Sequence, residues 1–394
     1  MNKYRNILIN LALAILPILT VYLIFEFIFF KPLIPKLSLR YQSRLSEPFQ
    51  MLAQVSKRET MPKDYILILG DSYAAGWGDW LQSANQSKNE PYASHDVIHE
   101  MTGRDVMNCG MAGGSPMETL IRKPINRFRY LRKTWLYKPE DPQEILFYFY
   151  EGNDLQDNIE RLNDLFKGQV EKSRIYEKTY SRDFVRNIVP KSDALYYDVR
   201  RFKLKYNFVF YHMLCESVRK LFVKYPSVQT TYPLSIPDSN YFFMDGVKKV
   251  LPYNSVQASL EISEEDMRLS LHITGECLDF LADFFPNSRI TIVYIPAVIT
   301  AYPIASEKVN VVSSINAKAV LIDTDSVFKM SDKIFRNVNK MASARLINVI
   351  DVRPYLRNAA SHEGFLHGPV DWLHLNRRGY SILAETVVAE LNKM

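Results

Sequence analysis

The sequence has little of what marks several common classes of protein. Its 394 residues include three cysteines, Cys109, Cys215 and Cys277, which lie far apart and have no CxxC spacing. They indicate neither a zinc site nor a disulfide framework, and the odd number leaves at least one thiol unpaired within the chain. The sequence also has no GxGxxG or GxxxxGK[ST] phosphate loop and no His/Asp/Glu set with metal-ligand spacing. We therefore expect neither a metal nor a cofactor.

An excess of charge of one sign is also missing. The chain has 49 basic and 43 acidic residues, a formal charge of +6, and no basic block. This balance predicts that nucleic acid is not a partner. Hydrophobic residues make up 47% of the chain and aromatic residues 13%, which is typical of a globular protein with a sizeable core. No internal repeat or low-complexity tract interrupts it.

One long hydrophobic run is present, at the amino terminus. From Ile7 to Phe30 the only polar residues are Asn10, Thr20 and Glu26. A helix of this length, at about 1.5 Å per residue, would cross the ~30 Å hydrocarbon core of a bilayer. A cleaved signal peptide is the alternative, but its apolar core is about 7–15 residues and ends in small residues. This run ends in Phe-Ile-Phe-Phe-Lys-Pro, which favours an uncleaved transmembrane anchor over residues 7–30 after a short tail, 1–6.

The residues beside this run do not favour one membrane orientation. Positive charges precede it at Lys3 and Arg5 and follow it from Lys31 onwards, so the bias in positive charge is equivocal. Residues 31–60 are polar and mixed, contain Pro32 and Pro35, and have no clean period. They are predicted to form a stalk before a folded domain over 61–394.

The rest of the chain alternates between strand-like and helix-like segments. Strands are predicted at 65–69, 105–108, 144–150, 289–295 and 346–350. Helices are predicted at about 116–133, 154–166, 263–285, 327–344 and 377–392. The strands are rich in Ile, Val, Tyr and Phe without polar alternation, as a sheet covered on both faces requires. The pattern predicts a three-layer α/β/α sandwich with a mostly parallel five-stranded sheet.

Residues 167–262 break this alternation. The segment is rich in Lys, Arg, Tyr and Pro and is too long for a loop without structure of its own. We interpret it as an insertion into the domain. It could pack over the sheet as a lid, or it could be an accessory subdomain that makes no contact with the functional site.

Polar segments follow four of the predicted strands. "GDSY" carries Ser72, "NCGMAGG" carries Gly113, and "EGND" carries Asn153. The fourth segment, "DWLHLN", carries Asp371 and His374 just before the last helix. Each has an ordinary explanation as a turn or helix cap. Active sites of parallel sheets, however, lie just past the carboxyl ends of the strands, and four such segments together predict a site there.

The four segments, in this order, resemble the SGNH hydrolase superfamily, also called GDSL esterases. The resemblance covers roughly residues 64–155 and 286–394, and it implies a flavodoxin-like fold. Two positions depart from the family pattern. Tyr73 replaces the usual Leu after the serine, and Glu151 replaces the usual Gly two residues before Asn153, with Gly152 displaced by one.

The residue types predict the chemistry. A serine hydroxyl needs a neighbouring base, and histidine, with an ordinary pKa of about 6.5, exchanges protons near neutrality. Ser72 is therefore the candidate nucleophile, His374 the base, and Asp371 the group that orients the imidazole. The resemblance further implies an oxyanion hole made by the N–H groups of Ser72 and Gly113 and the amide of Asn153. His362 and His367 are interpreted as structural, and Cys109 as a packing residue.

The predicted function is hydrolysis of an ester through a serine acyl-enzyme. The resemblance implies an acyl group on a glycan or lipid as substrate, and a catalytic domain outside the cytoplasmic membrane. Two alternatives stay open. The same acyl-enzyme could transfer its acyl group to a cell-envelope polysaccharide, with a membrane acyltransferase as partner. The domain could also be an inactive module that binds a glycan or a partner.

Overall fold

The structure is a computed structural model that describes residues 2–79, 81, 88, 91–201, 203, 207–222, 240–251, 255–256, 258–313 and 319–394. The described strands are β1 Ile66–Gly70, β2 Val106–Asn108, β3 Glu144–Tyr150, β4 Tyr241–Met244, β5 Val247–Val250, β6 Ser255–Val256, β7 Arg289–Ile295, β8 Lys308–Ser313, β9 Ala319–Asp323 and β10 Asn348–Asp351. Five of them form the central sheet, in the order β10-β7-β3-β1-β2, and every pair in that sheet is parallel. The prediction of a five-stranded parallel sheet with flavodoxin-like wiring is confirmed.

Helices cover both faces of this sheet. One layer consists of helices Ser94–Thr102, Arg353–Glu363 and Arg377–Leu391, which contact one another. The other consists of a π-helical turn Met117–Arg122, which continues into helix Lys123–Leu131, and of helices Asp154–Asn163, Glu264–Phe284 and Thr324–Ser343. Every residue of β1 and β3 is buried, which explains why these strands show no polar alternation. The three-layer α/β/α prediction is confirmed.

The order of the strands brings the predicted site segments together. β1 lies between β2 and β3, with Ile68 opposite both Asn108 and Leu146. The segments after these three strands therefore leave the same edge of the sheet side by side. Between β1 and β3 the order of the strands also reverses direction, and such switch points are where ligands bind in open α/β sheets.

The prediction of a stalk over 31–60 is wrong for the described structure. Apolar residues of this segment, among them Ile34, Phe49 and Leu52, are buried in the core of the domain. The amide of Gln54 bonds both backbone groups of Asn108, at 2.7 and 2.8 Å, and so covers the outer edge of β2. The segment shows no clean period because its apolar residues sit in short turns such as Leu39–Gln42 and Glu47–Gln50.

The described parts of the insertion, within 167–262, pack at separate places on the domain. Its shorter helices, Lys178–Asp183, Val189–Lys191 and Ala194–Arg200, pack on the helical layers, and helix Val209–Phe222 contacts the end of the amino-terminal helix. The hairpin β4–β5 packs beside helix Arg353–Glu363. Ser259 donates its N–H to the carbonyl of Gly152 at 2.9 Å, so the segment does touch the loop that carries Asn153. This contact argues against an accessory subdomain that makes no contact with the site, whereas residues 202, 204–206, 223–239, 252–254 and 257 of the predicted lid lie outside the described residues.

The amino-terminal run is helical. Helix Asn2–Ile24 continues through a π-helical turn, Phe25–Phe29. The stretch Tyr4–Phe29 is long and apolar enough to cross a membrane, a property that a signal sequence shares.

Candidate active site

Ser72 stands on a sharp turn at the end of β1. Gly70 ends the strand with a φ of +145°, and a Cβ there would lie 2.6 Å from the carbonyl oxygen of Tyr148 on β3. Only glycine fits this close approach. Asp71 then caps the one-turn helix Ser72–Ala75 by accepting the N–H of Tyr73 at 2.9 Å. The turn therefore presents the Ser72 side chain at the carboxyl edge of the sheet.

His374 and Asp371 complete a hydrogen-bonded chain with Ser72. Nε2 of His374 lies 2.9 Å from Oγ of Ser72, and Nδ1 lies 2.8 Å from Oδ2 of Asp371. Asp371 is buried, and its Oδ1 accepts the N–H of Leu373 at 2.9 Å. The structure thus brings together the three side chains that the sequence predicted, although 302 positions separate Ser72 from His374. In this arrangement the imidazole can accept the serine proton while the carboxylate holds its other nitrogen.

Two further side chains fix the loop that carries His374. Asp79 accepts hydrogen bonds from the N–H groups of Val370 and Asp371. Tyr73 donates its hydroxyl to the carbonyl of Leu373 at 2.7 Å. Both residues belong to the segment that follows Ser72, so the nucleophile turn and the histidine loop are bonded to each other.

Charge in the site is distributed unequally between two aspartates. Burial would raise the pKa of Asp371, but the hydrogen bond and charge of His374 and the N–H of Leu373 outweigh it and hold that pKa below its ordinary value. Burial instead raises the pKa of Asp71 to about 6, against the opposing effects of the Tyr73 N–H and the charge of His374. Asp371 therefore stays ionised at lower pH than Asp71 does.

Gly113 lies in the loop after β2, as predicted. Its φ is +68°, in the left-handed region, and a Cβ placed on it would meet no atom within 4 Å. The loop is held against β1 because Met111 donates its N–H to the carbonyl of Gly70 at 2.9 Å. The backbone of Gly113 thus borders open space on the side of the sheet where Ser72 lies.

Asn153 follows β3 and precedes helix Asp154–Asn163 without capping it. Its Oδ1 is buried and accepts no hydrogen bond from the residues that the structure describes. Its neighbour Glu151 is fully buried and has four partners. The Glu151 carboxylate accepts the hydroxyls of Tyr294, Ser331 and Thr300 at 2.6–2.7 Å and the N–H of Ala297 at 3.4 Å. The residue that departs from the family pattern therefore links β3, β7 and a flanking helix.

Sequence reasoning missed the supporting residues. Asp79 was not singled out, and Tyr73 and Glu151 were noted only as departures from the family pattern. Each makes its decisive contacts with residues far away in the chain, such as Leu373 and Thr300. The only signal was indirect, in that two of the three are the positions where the family pattern is broken.

The residues interpreted as structural have ordinary environments. His367 is buried with Nδ1 at 3.0 Å from the hydroxyl of Tyr302, and burial lowers its pKa to about 3. His362 is exposed and pairs with Asp245. Cys109 is buried. Among the described residues no group of three or more His, Cys, Asp or Glu side chains could hold a metal ion.

A cleft of about 550 Å³ lies beside the site. Its lining includes Ala75 and Trp77 from the nucleophile segment, Asn108 at the end of β2 with Gly110 just after it, and Gln42 and Gln54 from residues 31–60. Trp77 is half exposed, and its ring centroid lies 6.5 Å from that of His374. The cleft is rich in amide side chains and meets the histidine at this indole.

No family model matches the chain, and no curated protein matches it in sequence. Solved structures that it resembles include an extracellular lipase from Streptomyces rimosus, at 12% identity and a TM-score of 0.36, over 83% of this chain and 99% of the lipase. An acetyl xylan esterase from Butyrivibrio proteoclasticus is 9% identical with a TM-score of 0.33, over 84% of this chain and 64% of that one. A carbohydrate acetylesterase family member from Sinorhizobium meliloti is 9% identical with a TM-score of 0.31, over 84% and 98%.

These identities and TM-scores are too low to support an inference about activity. The order of the chain's own four segments is what resembles the SGNH hydrolases.

Proposed function

We propose that this protein is a serine ester hydrolase of the SGNH type that removes O-acyl groups from a glycan or lipid. The observation that carries the proposal is the chain of hydrogen bonds from Ser72 through His374 to Asp371, at 2.9 and 2.8 Å. Ser72 lies at the carboxyl end of β1, between β3 and β2 in the parallel sheet. A buried carboxylate, an imidazole and a hydroxyl in this order suit nucleophilic catalysis and have no evident use in a module that only binds.

The reaction would proceed through an acyl-enzyme. His374 takes the proton of the Ser72 hydroxyl as Oγ attacks the acyl carbon, and the carbonyl oxygen becomes an oxyanion. His374 then gives the proton to the alcohol oxygen, so that the ester bond breaks and the alcohol leaves. Water attacks the acyl-enzyme, His374 takes one of its protons and returns it to Ser72, and the free acid leaves.

Backbone donors would stabilise the oxyanion in both halves of this reaction. We assign this role to the N–H groups of Ser72 and Gly113 and to the side-chain amide of Asn153, which lie on segments that leave neighbouring strands. The left-handed conformation of Gly113 and the open space beside it suit an N–H that points at a substrate. Such donors act most strongly when charge develops in the transition state.

The half-exposed indole of Trp77 beside His374 favours a glycan as part of the substrate, since aromatic rings are suited to the apolar faces of sugars. The cleft beside this indole could also receive a sugar as acceptor, which makes transfer to an envelope polysaccharide the second candidate function. Incubation of the protein with an acetylated aryl ester, with and without glycan acceptors, distinguishes the two. Free acetate in both reactions supports hydrolysis, whereas acetylated glycan in the second supports transfer.

The nucleophile can be tested directly. Ser72→Ala should abolish ester hydrolysis and labelling by a fluorophosphonate, and Ser381→Ala, on the last helix, should leave both unchanged. Adding His374→Ala to Ser72→Ala should cause little further loss, because residues that act as one unit are not additive. Equal labelling of the Ser72→Ala variant and the wild type would disprove the assignment.

We also propose that the amino-terminal helix stays in the membrane as an anchor and that the catalytic domain faces the periplasm or exterior. The apolar length of Tyr4–Phe29 supports an anchor, and the family resemblance supports the side. Protease added to intact spheroplasts should digest the domain. Digestion only after lysis would place the domain in the cytoplasm.

A further inference from the structure

A buried acid joins the amino-terminal helix to the insertion. Glu26 is the only charged residue between Ile7 and Phe30, and it is fully buried. Its carboxylate accepts the N–H groups of Phe210 at 2.7 Å and Tyr211 at 3.3 Å, and the hydroxyl of Tyr22 at 2.6 Å. Phe210 and Tyr211 lie in the first turn of helix Val209–Phe222, where unbonded N–H groups and the helix dipole favour a negative charge. The carboxylate therefore fixes the start of this helix, here called the insertion helix, to the end of the apolar one.

Aromatic rings strengthen the same junction. Phe208 packs on Tyr22 and Phe27, with centroid distances of 6.3 and 5.3 Å. Phe210 packs on Phe25 at 4.9 Å with its ring nearly perpendicular. The end of the apolar helix, Phe25–Phe29, also contacts the insertion helix directly. The junction is a packed interface rather than a flexible tether.

The outward face of the insertion helix is apolar. Its exposed residues recur at the spacing of one helical face, namely Tyr211, Leu214, Cys215, Val218 and Arg219. Tyr211, Leu214 and Val218 remain 50%, 45% and 53% exposed, whereas Val209 and Met213 are buried against the protein. An amphipathic helix of a soluble domain normally turns its apolar stripe inwards. Here the exposed face carries three large apolar side chains, with Arg219 beside them, and the described chain leaves those three about half exposed.

A tryptophan lies next to the start of this helix. Asn207 lies two residues before the insertion helix begins. Its side-chain oxygen accepts the backbone N–H of Trp135 at 3.0 Å. The Trp135 side chain is 63% exposed. Tryptophan favours the boundary between lipid and water, where its ring meets hydrocarbon and its N–H meets polar groups.

We propose that the insertion helix lies in the membrane–water boundary, with Tyr211, Leu214 and Val218 turned into the lipid. The occupant of the exposed face is then the bilayer itself, and the inference rests on the proposed anchor. We choose lipid as the occupant because the exposed face is continuous with the surface of the apolar helix. The stripe begins where the apolar helix leaves its span, at the Glu26 junction, so a membrane that holds Tyr4–Phe29 reaches this face. An amphipathic helix in that position is stabilised when its apolar face is buried among acyl chains and headgroups.

Two membrane contacts would hold the catalytic domain in one orientation. A single helix leaves a domain free to rotate about its tether, whereas a second element lying flat beside it removes that freedom. Because the Glu26 junction is rigid, the domain and the anchor would then present the site at a fixed height above the bilayer.

Cys215 provides a natural probe, because it is exposed whereas Cys109 and Cys277 are buried. The full-length protein would be labelled there with a bimane fluorophore and inserted into vesicles with brominated acyl chains. We expect a loss of fluorescence that is clear but smaller than that of a label at Leu19, which lies deeper in the span and is introduced by Leu19→Cys in the Cys215→Ser background. Labels introduced by Tyr211→Cys, Leu214→Cys and Val218→Cys in that background should be quenched more by the lipid than labels from His212→Cys and Glu216→Cys.

The double variant Leu214→Glu with Val218→Glu tests the stripe without touching the active site. It should keep wild-type hydrolysis of a small aryl ester, which shows that it folds, and lose lipid quenching at Cys215. If the label at Leu19 is quenched but no position of the insertion helix is, the inference fails while the anchor stands. If neither is quenched, the anchor fails as well. A disulfide between the Cys215 residues of two copies, with no lipid quenching, would assign the face to a second copy and also overturn the inference.

Discussion

Two buried aspartates flank the Ser72–His374 pair, one in the turn after β1 and the other in the loop before the last helix. Asp371 bonds the imidazole at 2.8 Å and a backbone N–H at 2.9 Å, and its pKa is held below the ordinary value despite burial. Asp71 accepts the N–H of Tyr73 at 2.9 Å and lies 3.4 Å from the serine oxygen, and burial raises its pKa to about 6. Similar burial thus gives opposite shifts.

The difference shows that hydrogen bonds and a neighbouring charge can outweigh burial in setting the pKa of an aspartate. Asp371 meets the imidazole at the nitrogen opposite to the serine, where a negative charge stabilises the imidazolium. Asp71 sits on the serine side, where a negative charge would oppose the developing oxyanion. Asp71 therefore supports Ser72 by capping the short helix that begins there. Asp371 supports it by placing a negative charge beside the imidazole of His374.

The largest expected effect is the difference in activity between variants of the two aspartates. Asp371→Asn should lower kcat/KM by about 10⁴, because the amide holds the wrong tautomer of the imidazole. Asp71→Asn can still cap the helix through its carbonyl oxygen and should cost far less, about 10-fold or below. Rates with an aryl ester, measured on variants with wild-type far-ultraviolet circular dichroism, provide the comparison. Equal losses in the two variants would contradict the assigned division of roles.

The next test concerns the third segment of the site. Asn153→Ala should lower kcat by about 10²–10³ with little change in KM, since the amide acts most strongly on the transition state. Asn163→Ala, at the exposed end of the same helix, serves as the control and should be close to wild type. Full activity of Asn153→Ala would mean that the oxyanion depends on the Ser72 and Gly113 amides alone.

The pH dependence of stability sharpens the comparison between the two acids. A raised pKa means that the folded protein binds the proton more tightly than the unfolded chain, whose aspartates titrate near pH ~3.9. Stability linked to Asp71 should therefore fall as the pH rises from about 4 to about 6, by ~1–3 kcal/mol. Burial and the charge of Asp71 likewise raise the pKa of Asp157 to about 7, which extends the fall.

The stability linked to Asp371 changes with pH in the opposite direction. Its lowered pKa contributes stability that is present above the unfolded value and is lost as the pH falls through the folded value. Urea unfolding between pH 4 and pH 7 should show a weaker fall in the free energy of unfolding for Asp71→Asn than for the wild type. An identical slope in both proteins would contradict the role given to Asp71.

The smallest expected effect concerns the bond between the two regions. Tyr73→Phe removes the hydroxyl that donates to the carbonyl of Leu373 at 2.7 Å. We expect a loss of about 1 kcal/mol in the free energy of unfolding and a several-fold loss of kcat. Tyr355→Phe, which removes a surface hydroxyl, is the matched control. If Tyr73→Phe lowered stability alone, the bond would serve the fold and not the position of His374.

Much of this architecture could be predicted from local sequence. β3 and β7 have the predicted bounds, 144–150 and 289–295, because runs of buried Ile, Val, Phe and Tyr are typical of a parallel strand wherever they occur. The nucleophile turn could also be predicted, since Gly70, Asp71 and Ser72 encode the strand end and the helix cap within three residues. His374 was identifiable by its chemistry and by its position before the last helix.

The sequence by itself therefore determined the five strands of the central sheet, their order along the chain and the types of residue at the site. The tertiary structure decided what supports them, because those contacts join residues that no local pattern relates. Residues 31–60 pack on the core through short turns without a period. Glu151 bonds hydroxyls from 143 to 180 positions away. Glu26 looked like an interruption of an apolar run and caps a helix 184 positions later. A buried polar group must find a partner, but only the folded chain determines which one.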